Sequence, residues 1–229
     1  MKLNPHANLE PGNNIRDRTQ TRFVLIWLIL FTLTGIVLCY YYVDRAFARY
    51  IYDHAISSFT VLKWLTYPPP VIQTWSPLLL IIWVFRLVSG KPRQWETILA
   101  SCCISMILAD QFRESISYIF GRYWPETWID NNPSFIRDGA YGFHWFTTSH
   151  IYGSFPSGHA ARMAAPAVIT CLMYPRWTWL AILTMVVTAI GLLGMNYHFV
   201  SDVVAGTLLG GMVGYFTLKC LAIMSATQK

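Results

Sequence analysis

Two short stretches of the sequence carry residues that could transfer a phosphoryl group. FPSGHAARMAAP places a Pro-Ser-Gly-His tetrapeptide, ending at His159, before an apolar run, and GMNYHFVSDVVAG places His198 four residues before Asp202. On one helix His198 and Asp202 would share a face, so that the carboxylate could accept the Nδ1 proton of the imidazole. Nε2 would then be free to act, which makes His198 a candidate nucleophile.

The tetrapeptide is typical of a helix start, because Pro and Ser end a loop and an alanine-rich helix follows. A helix N-terminus presents unpaired N–H groups and a positive dipole end, which bind anions. Gly158 lets the backbone approach an anion closely, and Ser157 adds a hydroxyl. His159 can then donate a proton to a departing oxygen. Taken singly, each histidine is equally consistent with an interfacial polar residue or a helix cap.

The composition predicts an all-α, polytopic membrane protein. Of the 229 residues, 55% are hydrophobic and only 12% are charged, whereas soluble proteins carry about 25% charged residues. The net charge of +6 has no basic stripe or recognition module beside it, which argues against a nucleic-acid partner. The five cysteines fall in the apolar runs without metal-site or redox spacing, so we interpret them as buried small hydrophobic residues. We expect no metal and no cofactor.

Six apolar runs are long enough to cross a bilayer, which needs about 20 residues. They form a membrane domain over residues 22–224 behind a polar cytoplasmic tail, residues 1–21. The third run also carries Asp110, Arg113 and Glu114, and charges inside a span usually face a protein interior or a water-filled cavity. The predicted spans are 22–43, 71–89, 96–120, 158–174, 177–197 and 200–223.

With six spans, the loop after the third and the loop after the fifth lie on the same side. His159, His198 and Asp202 are therefore expected at one end of the bundle. Lys and Arg number ten on the side of the N-terminus and seven on the other, so the positive-inside rule places these residues at the outer, periplasmic face of a multi-pass inner-membrane protein. A small-residue stripe in span six and alanines in span four predict close packing of these two helices. The stripe is Gly206, Gly210 and Gly214.

At these motifs the chain resembles the type 2 phosphatidic acid phosphatase family, whose fold is shared with vanadium-dependent haloperoxidases. Membrane members have six spans and the motifs Lys-x6-Arg-Pro, Pro-Ser-Gly-His and Ser-Arg-x5-His-x3-Asp. The resemblance covers residues 95–215, with the catalytic motifs within 113–206. It implies that His198 is the nucleophile, that Asp202 orients it, and that His159 is the general acid for a lipid-linked leaving group.

The chain departs from this pattern at every cationic phosphate ligand. The motif lysine and arginine fall on Ser117 and Trp124, and the Ser-Arg pair falls on Gly191 and Leu192. A phosphate monoester carries nearly two negative charges at neutral pH, so these absences should weaken its binding.

Two nearby arginines are candidate replacements for the missing ligands. We expect Arg122 and Arg162 to join Ser157 and Gly158 in binding the substrate phosphate, while a snorkelling interfacial charge is an equally good interpretation of Arg162. For Arg113 an ion pair with Asp110 or Glu114 is the favoured interpretation.

These observations predict a membrane phosphatase that hydrolyses a lipid-linked phosphate or diphosphate through a phosphohistidine intermediate. Its partners would be a lipid phosphate substrate and membrane lipids; the oligomeric state stays open. One alternative is a phospholipid headgroup phosphotransferase or diesterase similar to sphingomyelin synthase, which acts on singly charged diesters without the usual arginines. Another is a catalytically weak relative. A transporter is disfavoured, because the polar residues cluster at one interface and no inverted repeat is visible.

Overall fold

The structure, a computed structural model, describes residues 11–90 and 92–227 and is mostly helical. The helices of the first half are α1 (Pro11–Leu38), α2 (Asp44–Asp53), α3 (Thr60–Trp64), α4 (Pro68–Ser89) and α5 (Gln94–Ile119). Helix α1 continues through a π-helical segment, Cys39–Val43, into α2. A short helix, α3, and two long helices, α4 and α5, follow. The second half contains α6 (Phe135–Asp138), α7 (Gly158–Met173), α8 (Thr178–Gly194) and α9 (Val200–Thr227).

A small antiparallel ribbon follows α5 and is absent from the all-α prediction. Strand β1 (Phe120–Arg122) pairs with β2 (Phe143–Trp145), and Arg122 lies opposite Phe143. The ribbon gives the mostly buried backbone of β1 hydrogen-bond partners from the long loop between α5 and α7.

The chain is a multi-pass membrane protein, and a long helix covers most of each predicted span. Among the described residues, four helical segments are long and apolar enough to cross a bilayer: Arg22–Asp53, Thr60–Ser89, Pro175–Gly194 and Val200–Leu221. Helix α5 carries charged residues and α7 has only 16 residues, so six spans remain a prediction. Of the predicted tail, residues 1–10 lie outside the described residues, and α1 begins at Pro11.

The core of the bundle is the packing of α7 against α9 and of both against α5. A Cβ added at Gly206, Gly210 or Gly214 would clash with the backbone carbonyl oxygen of a residue in or just before α7. The small-residue stripe therefore permits backbone contact, as predicted. Buried residues from the three helices complete this core, namely Ala109, Ala161, Ala165, Leu209 and Val213.

Candidate active site

The start of α7 places His159 in the first helical turn. Ser157 is the N-cap, with extended backbone, and its hydroxyl accepts a hydrogen bond from the N–H of Ala160 at 3.4 Å. Its own N–H donates to the carbonyl of Asp202 at 3.0 Å, which ties α7 to α9. The helix start expected from the Pro-Ser-Gly-His tetrapeptide is confirmed. Ser157, predicted to bind phosphate, is fully buried, and its hydroxyl serves as this cap.

The turn between α8 and α9 places His198. Helix α8 ends in a Schellman motif, in which the N–H of Tyr197 donates to the carbonyl of Leu192 and the N–H of Asn196 donates to that of Leu193. Asn196 has a φ of 54°, a left-handed conformation that asparagine tolerates better than most residues. His198 follows this turn and precedes α9, so the expectation that it shares one helix with Asp202 is wrong. Proximity to Asp202 comes from the turn itself.

His198 is held through Nδ1 by the backbone as well as by the carboxylate. Nδ1 lies 2.9 Å from the carbonyl oxygen of Ser154 and 3.8 Å from Oδ2 of Asp202. A carbonyl oxygen only accepts hydrogen bonds, so Nδ1 carries the hydrogen and Nε2 keeps its lone pair. Oδ2 of Asp202 accepts from the Ser154 hydroxyl at 2.7 Å and from the N–H of Phe199 at 2.9 Å. Asp202 therefore orients Ser154, whose carbonyl holds the His198 ring, and it also holds the backbone directly after His198.

The two histidines face each other at one end of the bundle. Their ring centroids are 6.5 Å apart, His198 being buried and His159 half-buried. Trp124, at the place of the motif arginine, is buried and packs on His198 with centroids 5.1 Å apart. The indole adds no charge at this position and shields one side of the His198 ring from water.

Arg122 is fully buried and paired with two carboxylates. Its side chain is 0% exposed; Nη1 donates to Asp202 Oδ1 and Nη2 donates to Asp44 Oδ2, the latter at 2.8 Å. Burial alone lowers the pKa of Arg122, but the carboxylates of Asp202 and Asp44 outweigh it and raise the pKa above its ordinary value. The guanidinium thus stays charged, and its charge is directed at the residues beneath His198.

Three further groups complete the surroundings of Arg122. Ser201 Oγ accepts from Arg122 Nη1 at 2.7 Å, and Tyr141 OH accepts from Nη2 at 3.1 Å. The Tyr141 hydroxyl donates to the carbonyl of Tyr40 at 2.5 Å, and burial raises the pKa of this tyrosine, so it is a neutral donor. The guanidinium is also enclosed by aromatic rings, with Phe199 nearest at 4.4 Å from its centroid.

Arg113 and Arg162 lie on the other side, around the start of α7. A Cβ on Gly158 would lie 3.3 Å from Arg113 Nε and 3.4 Å from Arg162 Nη2. Arg113 donates to the carbonyls of Pro156 and Gly153 at 3.3 and 2.7 Å and forms an ion pair with Glu114. The ion pair with Glu114 was one of the two expected for this residue.

At the start of α7, Arg162 has a donor nitrogen, Nη2, for which no partner is found among the described residues. Nε donates to the carbonyl of Gly158 at 3.1 Å and lies 3.6 Å from Asp110, and Nη1 donates to Gln73 at 2.6 Å. For Nη2, and for the N–H groups of Gly158 and His159, no partner is found within residues 11–90 and 92–227. Together with the helix dipole, these donors can bind an oxyanion next to His159.

Sequence reasoning missed Asp44, Ser154 and Ser201. Asp44 had a visible signal, an acidic residue directly after an apolar span, where an unpaired charge is costly. Ser154 and Ser201 had none, since a serine near a motif is common and only its contacts give it a role.

Known proteins resemble this chain over the region of the site. The PAP2 superfamily model matches residues 98–223. An undecaprenyl-diphosphatase of Sulfolobus acidocaldarius is 25% identical over 146 residues, which are 63% of this chain and 62% of the relative. The crystal structure of a transmembrane PAP2-type phosphatidylglycerolphosphate phosphatase from Bacillus subtilis aligns with 85% of this chain and 94% of its own, with a TM-score of 0.42 and 21% identity.

Proposed function

The chain belongs to the PAP2 superfamily, whose model matches more than half of it, and we propose that it is a membrane hydrolase that cleaves phosphate from a lipid-linked phosphate or diphosphate. One observation carries the proposal: His198, with Nδ1–H held by a carbonyl and the lone pair on Nε2, faces His159 at a centroid distance of 6.5 Å. A single phosphoryl group between the rings can contact both.

The reaction proceeds in two displacement steps at phosphorus. Nε2 of His198 attacks the phosphorus, the bond to the leaving oxygen breaks, and protonated His159 gives that oxygen its proton. The lipid departs and leaves phosphohistidine. His159, now neutral, takes a proton from a water molecule, which attacks the phosphorus and breaks the P–N bond to release phosphate. Asp202 and the Ser154 carbonyl stabilise the positive charge that develops on His198.

The anion site at the start of α7 supplies the positive potential for this reaction. Of the four predicted phosphate ligands we keep Gly158, through its N–H, and Arg162, through Nη2. We assign Ser157 to capping α7 and Arg122 to supporting Asp202, since their polar groups are engaged there. Preorganised donors of this kind act where charge develops in the transition state.

The position of the cations supports a diphosphate as the substrate. Arg113 and Arg162 lie beside His159, on the side of the leaving group, while Trp124 stands beside the nucleophile. A leaving group that is itself a phosphate gains most from cations there. The relative from Sulfolobus acidocaldarius is named an undecaprenyl-diphosphatase, which is consistent with this choice. The active face would be the outer one, by the distribution of Lys and Arg.

A second candidate, transfer of a phospholipid headgroup between diesters, is favoured by one observation. Trp124 puts no charge beside His198, and a singly charged diester needs fewer cations than a monoester.

Phosphate release from purified protein in detergent tests the proposal and separates the two candidates. The substrates are a panel of lipid monophosphates and lipid diphosphates, and the variants are His198→Ala, His159→Ala and the exposed His150→Ala as matched control. We expect release by wild type and His150→Ala, fastest with diphosphates, and none by His198→Ala. With ³²P-labelled substrate, wild type should carry alkali-stable, acid-labile phosphoenzyme, and His198→Ala should carry none. Because His159 acts in both steps, His159→Ala should release phosphate far more slowly than wild type. If wild type released no phosphate from any of these substrates but transferred labelled headgroups between diesters, the second candidate would be established instead.

A further inference from the structure

Asp44 is a buried acidic residue outside the region that the superfamily model matches. It stands at the first position of α2, directly after the π-helical segment, and only 1% of its surface is exposed. Burying a carboxylate costs several kcal/mol unless it is paired and hydrogen-bonded. The hydrogen-bond partners of the Asp44 carboxylate therefore indicate its role.

The hydrogen-bond partners of Asp44 among the described residues are Arg122, Ser201 and, at 3.4 Å, the hydroxyl of Tyr141; Arg122 also pairs with Asp202, and Ser201 precedes it in α9. Oδ2 accepts from Arg122 Nη2 at 2.8 Å and from the hydroxyl of Ser201, and Oδ1 accepts from the N–H of Ser201 at 2.9 Å. Ser201 is in the first turn of α9, whose N–H groups lack intrahelical acceptors. Asp44 thus caps α9 from another helix, one residue before Asp202.

Arg122 transmits the position of Asp44 to Asp202. One guanidinium nitrogen, Nη1, donates a hydrogen bond to Asp202 Oδ1, while Nη2 donates to Asp44 Oδ2. With Nη2 occupied, Asp202 Oδ2 stays available to the Ser154 hydroxyl, the Phe199 N–H and the His198 ring. Without the charge on Asp44, Nη2 is free to compete for Asp202 as well, and a bidentate pair would draw the carboxylate away from His198.

The charges of this network also act on His198. Asp44, Arg122 and Asp202 are buried and together carry one net negative charge, and Asp202 Oδ2 lies 3.8 Å from Nδ1 of the ring that becomes positive as the N–P bond forms. Neutralising Asp44 leaves Arg122 and Asp202 with a net charge of zero. Electrostatic stabilisation of the phosphorylated ring is then lost.

We propose that Asp44 is a positioning residue for phosphoryl transfer: acting through Arg122 and Ser201, it keeps Asp202 on His198 and maintains a net negative charge beneath the nucleophile. The role rests on the proposed function and extends the site to the N-terminal helices. Among the described residues Asp44 has no hydrogen bond or ion pair with His159 or His198.

The test compares Asp44→Asn with Asp53→Asn, an exposed acid on the same helix. For Asp44→Asn we expect kcat for phosphate release from a lipid diphosphate to fall by about 10- to 100-fold, a loss comparable to that for groups that orient a metal-binding histidine, with KM within about twofold of wild type. KM should hold because the substrate donors around Gly158 are untouched. Asp53→Asn should match wild type. A merely structural Asp44 predicts a lower Tm with an unchanged kcat per folded molecule.

A second readout needs no substrate. The rate at which diethylpyrocarbonate modifies His198 above neutral pH, followed by mass spectrometry, measures the nucleophilicity of Nε2. We expect a several-fold lower rate in Asp44→Asn than in Asp53→Asn. If wild type released no phosphate yet this difference were present, the proposed function would fall and the positioning role would stand. Equal rates and equal kcat in the two variants would overturn the positioning role.

If Asp44→Asn is not recovered folded, Ser201→Ala takes its place. It removes one hydroxyl between Asp44 and Arg122 and leaves every charge. We expect a several-fold loss of kcat at constant KM and a slower modification of His198; wild-type values for both would contradict the proposal.

Discussion

The two sides of the site both combine a histidine with arginine, but they use the arginine differently. On the His198 side, Arg122 is 0% exposed and its two terminal nitrogens are bound by two carboxylates. On the His159 side, the side chains of Arg113 and Arg162 are 12% and 16% exposed. There Arg162 Nη2 has no partner among the residues that the structure describes.

This difference assigns the two sides to different tasks. A buried guanidinium whose two terminal nitrogens pair with buried carboxylates holds the framework, because extracting it to bind substrate would leave two buried charges unpaired. A partly exposed guanidinium with free donors can bind an anion at little cost. Substitutions on the first side should therefore lower stability and kcat together, and substitutions on the second side should lower kcat/KM alone.

The largest effect is expected for Arg122→Gln, on the buried side. Removing one partner from a buried ion network costs about 3–5 kcal/mol, so Tm should fall strongly or the protein should fail to fold. Arg49→Gln is the matched control, since Arg49 is exposed and, within residues 11–90 and 92–227, its contact is with the face of the Phe135 ring, which is worth about 1 kcal/mol or less. Thermal unfolding in detergent measures both. Equal Tm values for the two variants would contradict the division between the sides.

Arg162→Gln tests the open side. Losing a hydrogen bond from a charged donor to the substrate costs about 1.5–3 kcal/mol, so kcat/KM should fall by about 10- to 100-fold. Tm should change little, because the lost contacts are partly exposed. Steady-state kinetics with a lipid diphosphate and with a lipid monophosphate give the measurement. A large fall in Tm at unchanged kcat/KM would instead make Arg162 a structural residue.

Gly210→Ala disturbs the packing of α7 against α9, which connects the two sides of the site. The added methyl group meets the backbone of Ala161 and must push α7 away from α9, which we expect to cost about 1–3 kcal/mol and to separate His159 from His198. At Gly211 the nearest atom to the added methyl is 3.6 Å away, on Val168, so Gly211→Ala is the control. Phosphate release and Tm should both drop in the first variant alone. Equal behaviour would show that the helices have room to adjust.

The smallest effect is expected for Arg113→Gln. Two of its nitrogens already donate to the carbonyls of Pro156 and Gly153, so less of its donor capacity faces the substrate than in Arg162. We expect a loss in kcat/KM of about fivefold, equivalent to about 1 kcal/mol. A loss as large as that of Arg162→Gln would make the two arginines equal partners in binding.

The local sequence predicted the framework of the site well. The start of α7 followed from its Pro-Ser-Gly-His tetrapeptide, and the approach of α7 to α9 followed from the glycines in every fourth position of α9. Both depend on contacts between neighbours in sequence or on a repeating helical face. The expectation that His198 and Asp202 share one helix failed because the Schellman turn at Asn196 delays the start of α9 to Val200.

By itself, the sequence determined the class of protein, its long helices and the end of the bundle at which His159 and His198 meet. The class and the helices follow from the hydropathy and helical period of short stretches, and the shared end follows from counting the predicted spans along the chain. Only the tertiary structure decided which arginine supports Asp202 and which is partly exposed at the start of α7. Asp44 and Ser201 are 157 residues apart, and Arg122 and Asp202 are 80 apart. Contacts over such separations leave no local pattern, and whether a charged group is buried and paired or open to an anion depends on them.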